Sequence, residues 1–305
     1  MLPLNMKNTT DLVSIVMLSF NRKKDVEEGV QELLEQNYKH IEIIVVDNGS
    51  ADNTAEMIKT KLPQVKLIAL KENIGVAAYN KGFEQAQGKY IVILDDDSFP
   101  ETNAIPRMVE EFEKNPQLGI VAFDVRNYYD YRKTNINPEG CEEHQHDETE
   151  VPRYQMAFNG AGVGIRKTCL QEVGGYPGEF FLYWNEQDLS IRVLNAGYQI
   201  QWFPGIISLH KYSPSNRESW RAPFYYTRNL YWLIWKYFPW KKLLKDTIQL
   251  LFYSLYSSFE QKTLVYLKAT LAALFNIREI KRKPARKTII ANLRLTYRLA
   301  FIYFK

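Results

Sequence analysis

Cysteine is scarce in this chain, because its 305 residues include only two, Cys141 and Cys169. Two cysteines cannot build the disulfide framework of a secreted domain, and they suit a reducing compartment. Long apolar runs are also missing, since no uninterrupted apolar stretch approaches the roughly 18 residues that a membrane-spanning helix needs. The first residues, MLPLNMKNTTDLVS, lack the apolar run of a signal peptide. We therefore expect a cytoplasmic protein.

Acidic side chains are scarce towards the C-terminus. The whole chain carries a net charge of +4, but residues 240–305 hold 14 Lys and Arg against 3 Asp and Glu, a net charge of +11. The remaining residues, 1–239, hold 25 basic against 32 acidic side chains, a net charge of −7. We therefore predict a globular domain over 1–239 and a separate basic tail over 240–305.

The tail sequence indicates basic amphipathic helices, rich in Leu, Tyr and Phe and dotted with Lys and Arg. Such helices are typical of binding to an anionic membrane surface, here the inner face of the cell membrane. The alternative is a set of helices packed on the parent domain with solvated lysines. Nucleic acid is not an expected partner, because the tail lacks a recognised reading motif. The sequence does not predict the oligomeric state.

Short apolar runs alternate with longer amphipathic ones from Val13 onward. The runs that predict strands are VSIVMLS, IEIIVVD, VKLIAL and YIVILD, with further strands at 158–166 and 198–209. The segments that predict helices are 23–37, 52–61, 75–86 and 186–196. Strands that are apolar on both faces and separated by helices indicate an α/β fold with a mostly parallel sheet. Residues 127–157 are polar and without pattern, which predicts a long exposed loop.

Three consecutive carboxylates, Asp95, Asp96 and Asp97, end the predicted strand YIVILD. Neighbouring like charges raise one another's pKa and repel, so a cation or strong hydrogen-bond donors must hold them together. Strand ends in open α/β sheets are where ligands gather, and a divalent metal is the expected one. The alternative is a solvated turn before a helix, with Ser98 as its N-cap.

Further polar side chains follow other predicted elements. Asp47 ends a strand, where an acid can accept hydrogen bonds from a nucleobase or ribose, and Asp52 is expected to cap the next helix. The stretch ENIGVAAYNKG places Asn73 and Asn80 around a helix start, where small residues and amides permit close backbone approach.

The stretch GGYPGEFFLYWNEQDLSIRV places Glu186 and Asp188 in the first turn of a helix, behind an aromatic segment. Acids at that position could serve in catalysis or simply complement the helix dipole.

Seven stretches in order carry a family resemblance: SIVMLSFNR, IEIIVVDNGSADNT, NIGVAAYNKGFEQAQGKYIVILDDDSFP, FNGAGVGIRK, GGYPGEFFLYWNEQDLSIRV, YQIQWFPGIISLHKYS and YYTRNLYWLIWKYFP. Together, from about Leu12 to Pro239, they resemble the family 2 glycosyltransferases of the GT-A fold, with similarity to rhamnosyltransferase-like members of bacterial surface-polysaccharide assembly. The resemblance implies an inverting, metal-dependent enzyme. It would move a sugar from a nucleotide-diphosphate donor to a saccharide or lipid-linked acceptor.

The resemblance also implies a donor site. The loop after the first strand, Ser19 to Arg22, would hold the nucleotide base. That loop includes Asn21, and the strand-end acid Asp47 would contribute to the same contact. Amides would lie near the ribose and diphosphate, namely Asn73 and Asn80. Asp95 and Asp96 would contact the ribose, and Asp97 would bind Mg²⁺ or Mn²⁺, with Asp95 as a further candidate ligand.

The remaining implied positions concern the metal shell and the acceptor. His210 could complete the metal shell, although a lone histidine after a strand is often structural. Arg228 could contact the diphosphate or the acceptor, or could pair with a surface acid. Glu186 is expected to be the general base, with Asp188 as the rival. The usual family pattern Glu-Asp-x-Asp-Leu reads Asn-Glu-Gln-Asp-Leu here, so the carboxylate is one methylene longer.

Three other interpretations are open from the sequence. A phosphatase of the haloacid dehalogenase type would use Asp95 as its nucleophile, but that motif normally opens the fold. A non-catalytic scaffold could keep the fold while the basic tail acts. The segment Cys141 to Glu148, CEEHQHDE, has metal-binding side chain types but the wrong spacing for a zinc site. We expect it to be an exposed loop near the acceptor.

Overall fold

The computed structural model describes residues 11–136, 151–213, 219–293 and 295. The first half of the fold alternates strands and helices, as the apolar runs predict. Its elements are β1 (Val13–Ser19), α1 (Lys23–Leu34), β2 (Ile41–Asp47), α2 (Thr54–Lys61), β3 (Lys66–Ala69), α3 (Tyr79–Gln85), β4 (Tyr90–Asp95), β5 (Ser98–Pro100) and α4 (Ala104–Lys114). A 3₁₀ turn over Gly75–Ala78 precedes α3.

The second half carries the remaining strands and the helices that close the site. Its elements are β6 (Leu118–Asn127), α5 (Tyr128–Ile136), β7 (Arg153–Tyr154), β8 (Val163–Arg166), α6 (Lys167–Val173), α7 (Asn185–Ala196) and β9 (Gln199–His210). The prediction of a loop over 127–157 is wrong for α5, and the strand predicted at 158–166 begins only at Val163. Residues 137–150 lie outside the described part.

Nine strands of the described chain form one sheet in the order β3-β2-β1-β4-β8-β6-β9-β5, with β7 against β9. β1 pairs in parallel with β2 and β4, so that Ser19 lies opposite Asp47 and Leu18 opposite Asp95. β8 is antiparallel to β4 and β6, which makes the sheet mixed. The carboxyl ends of β1, β2 and β4 therefore meet at one edge, and that edge carries the acids predicted from the sequence.

Helices cover both faces of the sheet and bury two apolar clusters. One cluster packs β1, β2 and β4 against α1, α2 and α4, and includes Met17, Val30 and Phe112. The other packs the opposite face against α3, α6 and α7, and includes Ile93, Tyr176 and Leu189. The burial of strands on both faces explains why they read as continuous apolar runs.

The C-terminal elements are α8 (Arg221–Tyr237), α9 (Trp240–Glu260), α10 (Val265–Phe275) and α11 (Lys287–Asn292). They share a third apolar cluster with α7 and the segment before it, including Phe180, Trp184 and Tyr266. The boundary predicted at 239/240 therefore falls between two helices of one shared core. Residues 294 and 296–305 of the predicted tail lie outside the described part. No described helix is long and apolar enough to cross a membrane.

Candidate active site

Two of the three acids at the end of β4 are enclosed by protein, since Asp96 is 6% exposed and Asp97 is 1% exposed, while Asp95 is half-buried. Ser98 does not cap a helix, since it belongs to β5 and α4 begins only at Ala104. The alternative of a solvated turn is therefore wrong. Buried carboxylates require partners, and the structure supplies them from distant parts of the chain.

Asp97 is held by three partners. Its Oδ1 lies 3.1 Å from Nε2 of His210, and its Oδ2 accepts a hydrogen bond of 2.7 Å from the backbone N–H of Ser213. Nη1 of Arg22 lies 2.9 Å from Oδ2. Burial by itself would raise the pKa of Asp97, but His210 and Arg22 hold that pKa well below its ordinary value. Asp97 is therefore ionised at neutral pH.

Asp96 shares the guanidinium of Arg22, whose Nη1 lies 3.1 Å from Oδ1 of Asp96. Nη2 of Arg22 donates to the carbonyl oxygen of Ser213 at 3.0 Å. Burial raises the pKa of Asp96 well above its usual range, and the charges of Asp97 and Asp95 oppose the effect of Arg22. The family resemblance predicts that Arg22 lies at the nucleotide base. In the structure the guanidinium of Arg22 forms ion pairs with Asp96 and Asp97.

Asp95, Asp97 and His210 form a group that could hold a metal ion, with one ligand atom from each within 4.8 Å of one another. Nδ1 of His210 is buried and has no hydrogen-bond partner in the described part. Tyr79 donates from its hydroxyl to Oδ1 of Asp95 at 3.0 Å and orients that carboxylate. Two carboxylates and one imidazole suit Mn²⁺, and carboxylates suit Mg²⁺, so these residues fit the predicted cofactor.

Asp47 ends β2 beside β1, and it is 3% exposed. Its Oδ1 accepts a hydrogen bond of 3.3 Å from the N–H of Ser50. Ser19 lies opposite in β1, and its buried Oγ has no hydrogen-bond partner among the described residues. Asn21 has a left-handed φ of 54°, and its Oδ1 accepts from Ala51 N–H at 2.7 Å. The loops after β1 and β2 are therefore tied together as one wall.

Asn73 accepts at Oδ1 from Nδ2 of Asn48 at 2.9 Å and from Gly75 N–H at 2.9 Å. Asn48 was not singled out from the sequence, although it is 2% exposed and also accepts from Ile74 N–H at 3.0 Å. The sequence feature that could have identified Asn48 is its amide side chain directly after Asp47, the acid that ends the strand. Asn48 and Asn73 together fix the segment that leads into the 3₁₀ turn.

Asn80 uses both ends of its amide on one residue. Its Nδ2 donates to the carbonyl oxygen of Tyr176 at 2.9 Å, and its Oδ1 accepts from Tyr176 N–H at 2.8 Å. Both contacts are structural, and the expected contact with the ribose or diphosphate stays a prediction. Asn80 fastens α3 to the segment that precedes α7.

That segment, residues 174–184, is called the acceptor loop below. Three of its residues, Phe181, Tyr183 and Trp184, have left-handed φ values of 61°, 66° and 64°. Asn229 of α8 holds this strained backbone, because its Nδ2 donates to the carbonyl oxygens of Phe180 at 2.9 Å, Leu182 at 2.6 Å and Tyr183 at 3.0 Å. Asn229 was missed from the sequence, where it reads as an ordinary helix residue.

A glycine permits the acceptor loop to approach the donor side. Gly75 has a φ of +67°, and a Cβ there would lie 2.0 Å from the carbonyl oxygen of Phe181. Val76 N–H donates to that same oxygen at 2.7 Å. Any larger residue at 75 would separate the two segments.

Glu186 lies at the start of α7 against Gly160, where a Cβ would meet its Oε1 at 2.8 Å. Burial raises the pKa of Glu186 to about 7, and the negative charge of Asp95 contributes in the same direction. Glu186 and Asp95 are therefore close enough for their charges to interact. A carboxylate with a pKa near 7 is suited to accept a proton at neutral pH.

Asp188, two residues further along α7, is fully buried. Its Oδ2 accepts from Nε of Arg192 at 2.8 Å, while its Oδ1 accepts from Nζ of Lys236 at 2.7 Å and from the hydroxyl of Tyr237 at 2.7 Å. Both oxygens are therefore occupied by partners on α7 and α8. These contacts join the helix of Glu186 to the C-terminal helices, and the catalytic role named for Asp188 as the rival of Glu186 stays a prediction.

Arg228 forms no ion pair with a carboxylate in the described chain. Its Nη2 donates to the carbonyl oxygens of Glu179 at 3.1 Å and Phe180 at 2.8 Å, and its guanidinium lies 4.2 Å from the ring centre of Trp232. Burial lowers its pKa to about 10. Of the two predicted roles, pairing with a surface acid is not observed, and the contact with diphosphate or acceptor stays a prediction. The segment Cys141 to Glu148 lies outside the described residues.

Comparison with known proteins identifies the fold and the family. The family model for glycosyl transferase family 2 matches residues 14–173, about half of the chain, including β1 to β4 and the acid cluster. This chain belongs to glycosyl transferase family 2. The family 2 assignment and the GT-A fold class with C-terminal helices, both predicted from the sequence, are confirmed.

Three relatives of this family 2 chain illustrate the similarity. Poly-β-1,6-N-acetyl-D-glucosamine synthase of Staphylococcus epidermidis is 36% identical over 117 residues, covering 37% of this chain and 28% of that protein. Mannosyltransferase PcManGT from Pyrobaculum calidifontis, in complex with GDP-Man and Mn²⁺, has a TM-score of 0.57 at 18% identity, covering 95% and 82%. S. aureus TarS 1-349, in complex with UDP-GlcNAc, has a TM-score of 0.56 at 15% identity, covering 92% and 83%. The alignment with the synthase spans less than a third of that relative.

Proposed function

We propose that this family 2 chain is an inverting, metal-dependent glycosyltransferase in surface-polysaccharide synthesis. It would transfer a sugar from a nucleotide-diphosphate donor to a saccharide or lipid-linked acceptor. The observation that carries the proposal is the Asp95, Asp97 and His210 group together with Glu186, whose pKa is raised to about 7 by burial and by the charge of Asp95. Such a transfer requires side chains that hold a metal ion and a side chain that accepts a proton.

The donor would lie at the carboxyl edge of β1, β2 and β4. Ser19, Asn21 and Asp47 line the wall formed by the loops after β1 and β2, which suits a base and ribose. UDP-GlcNAc is the first donor to test, because TarS was solved with it and the synthase is named for an N-acetylglucosamine polymer. GDP-mannose is the second, from the PcManGT complex.

Asp95, Asp97 and His210 would hold Mg²⁺ or Mn²⁺. The bound cation would supply neutralising charge to the diphosphate as it departs. Arg22 keeps Asp96 and Asp97 close together, and Tyr79 orients Asp95, so the protein fixes the ligands before the donor arrives. Arg228 stays a candidate for contact with the diphosphate or the acceptor.

Glu186 would take the proton from the acceptor hydroxyl. The hydroxyl oxygen then forms the new bond to the anomeric carbon, while the bond from that carbon to the diphosphate oxygen breaks and its electron pair leaves with the nucleotide. One direct displacement inverts the anomeric centre. The acceptor loop would hold the acceptor, because its aromatic side chains precede Glu186 directly.

Two competing functions receive less support. The family assignment argues against a phosphatase with Asp95 as nucleophile. A non-catalytic scaffold would need neither the Asp95, Asp97 and His210 group nor a carboxylate with a raised pKa that interacts with it. We also propose that the protein works peripherally at the inner face of the cell membrane, where lipid-linked acceptors would be found.

The test is release of nucleoside diphosphate by the purified chain from UDP-GlcNAc or GDP-mannose with Mn²⁺, with and without a saccharide acceptor. We expect turnover that is lost in EDTA and restored by excess Mn²⁺. A matched binding assay follows the Tm, because a ligand that binds only the folded state raises it. Release of inorganic phosphate from a simple phosphomonoester would support the phosphatase instead, and no donor binding with any metal would support the scaffold.

A further inference from the structure

One face of α9 exposes large apolar side chains over its whole length. Trp240 is 65% exposed, Ile248 59% and Phe259 87%. Each of the exposed apolar residues lies three or four positions from another, so they form one continuous row along the helix. The row, called the apolar stripe below, consists of Trp240, Leu244, Ile248, Phe252, Leu255, Tyr256 and Phe259.

The opposite face of α9, which packs on α8 and α10, is rich in polar residues. Asp246, Ser254 and Ser257 are all buried there, at 2%, 0% and 3% exposure. Oγ of Ser254 accepts a buried hydrogen bond of 3.0 Å from the hydroxyl of Thr270 on α10. A helix on a soluble surface normally turns its apolar face inward. In α9 Leu243 and Leu250 are buried, but most of the larger apolar side chains point outward, which indicates that the outward face meets something other than water.

Charged residues around the apolar stripe are mostly basic. Lys241 and Lys245 are exposed on the outward face of α9, and Lys262 and Lys268 are exposed where the chain turns into α10. Over residues 240–275, all of which are described, Glu260 is the one exposed acid. Exposed Leu271, Leu274 and Phe275 of α10 add to the apolar surface. An apolar surface bordered by lysines is complementary to a bilayer that contains anionic lipid.

Two arginines of the basic linker between α10 and α11 are bound to the protein, whereas Lys281, Lys283 and Lys287 are exposed. Arg282 donates to the carbonyl oxygens of Trp235 at 2.6 Å and Phe238 at 2.7 Å, and its guanidinium lies 4.1 Å from the ring centre of Trp240. Arg286 N–H donates to Oδ1 of Asn195 at 3.0 Å, on α7. These arginines therefore fasten the linker to the protein, so the outward face of α9 is the better candidate for membrane contact.

We propose that the apolar stripe is inserted into the interface of an anionic bilayer, with α9 lying in the plane of the membrane. The inference rests on the proposed peripheral location and names the surface that makes the contact. A second copy of the chain suits the stripe less well, because two stripes face to face would bring their bordering lysines together. The contact would bring the acceptor loop near lipid-linked acceptors, since α8 packs against α9 and also holds that loop through Asn229.

The test is co-sedimentation of the full chain with vesicles of phosphatidylcholine alone or with phosphatidylglycerol. The variant Leu244→Ser/Ile248→Ser removes two stripe side chains that are 65% and 59% exposed. The matched control, Leu34→Ser/Val151→Ser, removes exposed side chains elsewhere, at 43% and 70%. We expect the stripe variant to lose at least roughly tenfold in binding at low salt, and the control to bind like the parent chain.

A second variant, Lys241→Gln/Lys245→Gln, separates charge from apolar contact. It should lose roughly tenfold or more on anionic vesicles, and its residual binding should depend less on salt. Depth is read from Trp240, whose fluorescence brominated lipid should quench in the parent chain, with Trp240→Phe as the subtraction control. The folding of each variant is checked by its Tm, which should stay unchanged because the substituted side chains are exposed.

Equal vesicle binding by the stripe variant and the control would overturn the proposal. So would a parent chain that ignores vesicles and sediments as a dimer that the stripe variant abolishes, because a second copy would then cover the stripe. Quenching absent from Trp240 despite vesicle binding would also overturn it, since another surface would then make the contact. Metal-dependent use of donor in lipid-free buffer is measured in parallel, so that a failure of the transfer chemistry is distinguishable from a failure of membrane contact.

Discussion

Replacing Glu186 by glutamine is expected to abolish transfer and, at the same time, to make the protein more stable at alkaline pH. The pKa of Glu186 is about 7 in the folded protein, against 4.5 for an unperturbed glutamate. A folded-state pKa above the unfolded value means that the fold favours the protonated side chain. The contribution of Glu186 to the free energy of unfolding is complete below pH 4.5 and is lost as the pH rises through about 7.

The expected size follows from those two pKa values. Each unit between the two pKa values corresponds to about 1.4 kcal/mol, so the ionised carboxylate costs the fold at most roughly 3.5 kcal/mol well above pH 7. Glutamine has nearly the same shape and cannot ionise, so the variant escapes that cost. The free energy of unfolding of Glu186→Gln should therefore exceed that of the parent chain by roughly 3 kcal/mol at pH 8 and by much less at pH 5.

The assay pairs urea unfolding at pH 5 and pH 8 in EDTA with donor turnover in Mn²⁺. Transfer by Glu186→Gln should fall by roughly 10² to 10⁴ with donor affinity little changed, because the amide cannot take a proton. For the parent chain, kcat/KM should rise with pH and level off above about pH 7. The control Glu84→Gln changes an exposed acid whose partner, Lys81, lies 3.2 Å away, and it should alter neither quantity appreciably.

Two results would refute this reasoning. Equal stability gains at pH 5 and pH 8 would mean that the gain does not come from ionisation of Glu186. Near-parental transfer by Glu186→Gln would move the proton acceptor to another group, even if the stability difference were as expected.

Three further predictions concern the supporting residues. Asp97→Asn should weaken Mn²⁺-dependent donor binding at least roughly tenfold, measured as the shift in Tm with UDP-GlcNAc, because it removes a charged ligand; an unchanged shift would contradict the metal role. Asp188→Asn should cost roughly 3 kcal/mol in urea unfolding, because Arg192 and Lys236 lose a buried counter-charge, and a loss below about 0.5 kcal/mol would exclude that role. Asn229→Ala should raise KM for the acceptor more than KM for the donor, since its amide holds three acceptor-loop carbonyls; equal effects on both would argue against selective positioning.

The sequence by itself determined the donor half of the fold and the position of the acids. β1, β2 and β4 were predicted with their observed bounds, because strands buried on both faces must be continuous apolar runs. Parallel strands end at one edge of the sheet, so Asp47 and Asp95 had to lie near one another. These features are local in the chain, and local pattern was sufficient to predict them.

Only the tertiary structure decided which side chains meet the acids. Arg22 pairs with Asp96 across 74 positions of the chain, and His210 reaches Asp97 across 113. Asn80 has the residue type expected near a diphosphate, but packing commits its amide to Tyr176. Such partnerships depend on the order of strands and the path of loops, which no short sequence window contains.

The first turn of α7 shows most clearly which features the sequence determined and which the tertiary structure decided. Glu186 and Asp188 are two residues apart, and a helix turns about 200° over that distance, so the sequence required them to face opposite ways. The sequence did not determine which of the two carboxylates lies near Asp95. That was decided when α8 packed on α7 and brought Lys236 and Tyr237 to Asp188, which left Glu186 near Asp95. The same holds for α9, whose amphipathic pattern is visible in the sequence, while the packing of its serine face on α8 and α10 decided that the apolar stripe points outward.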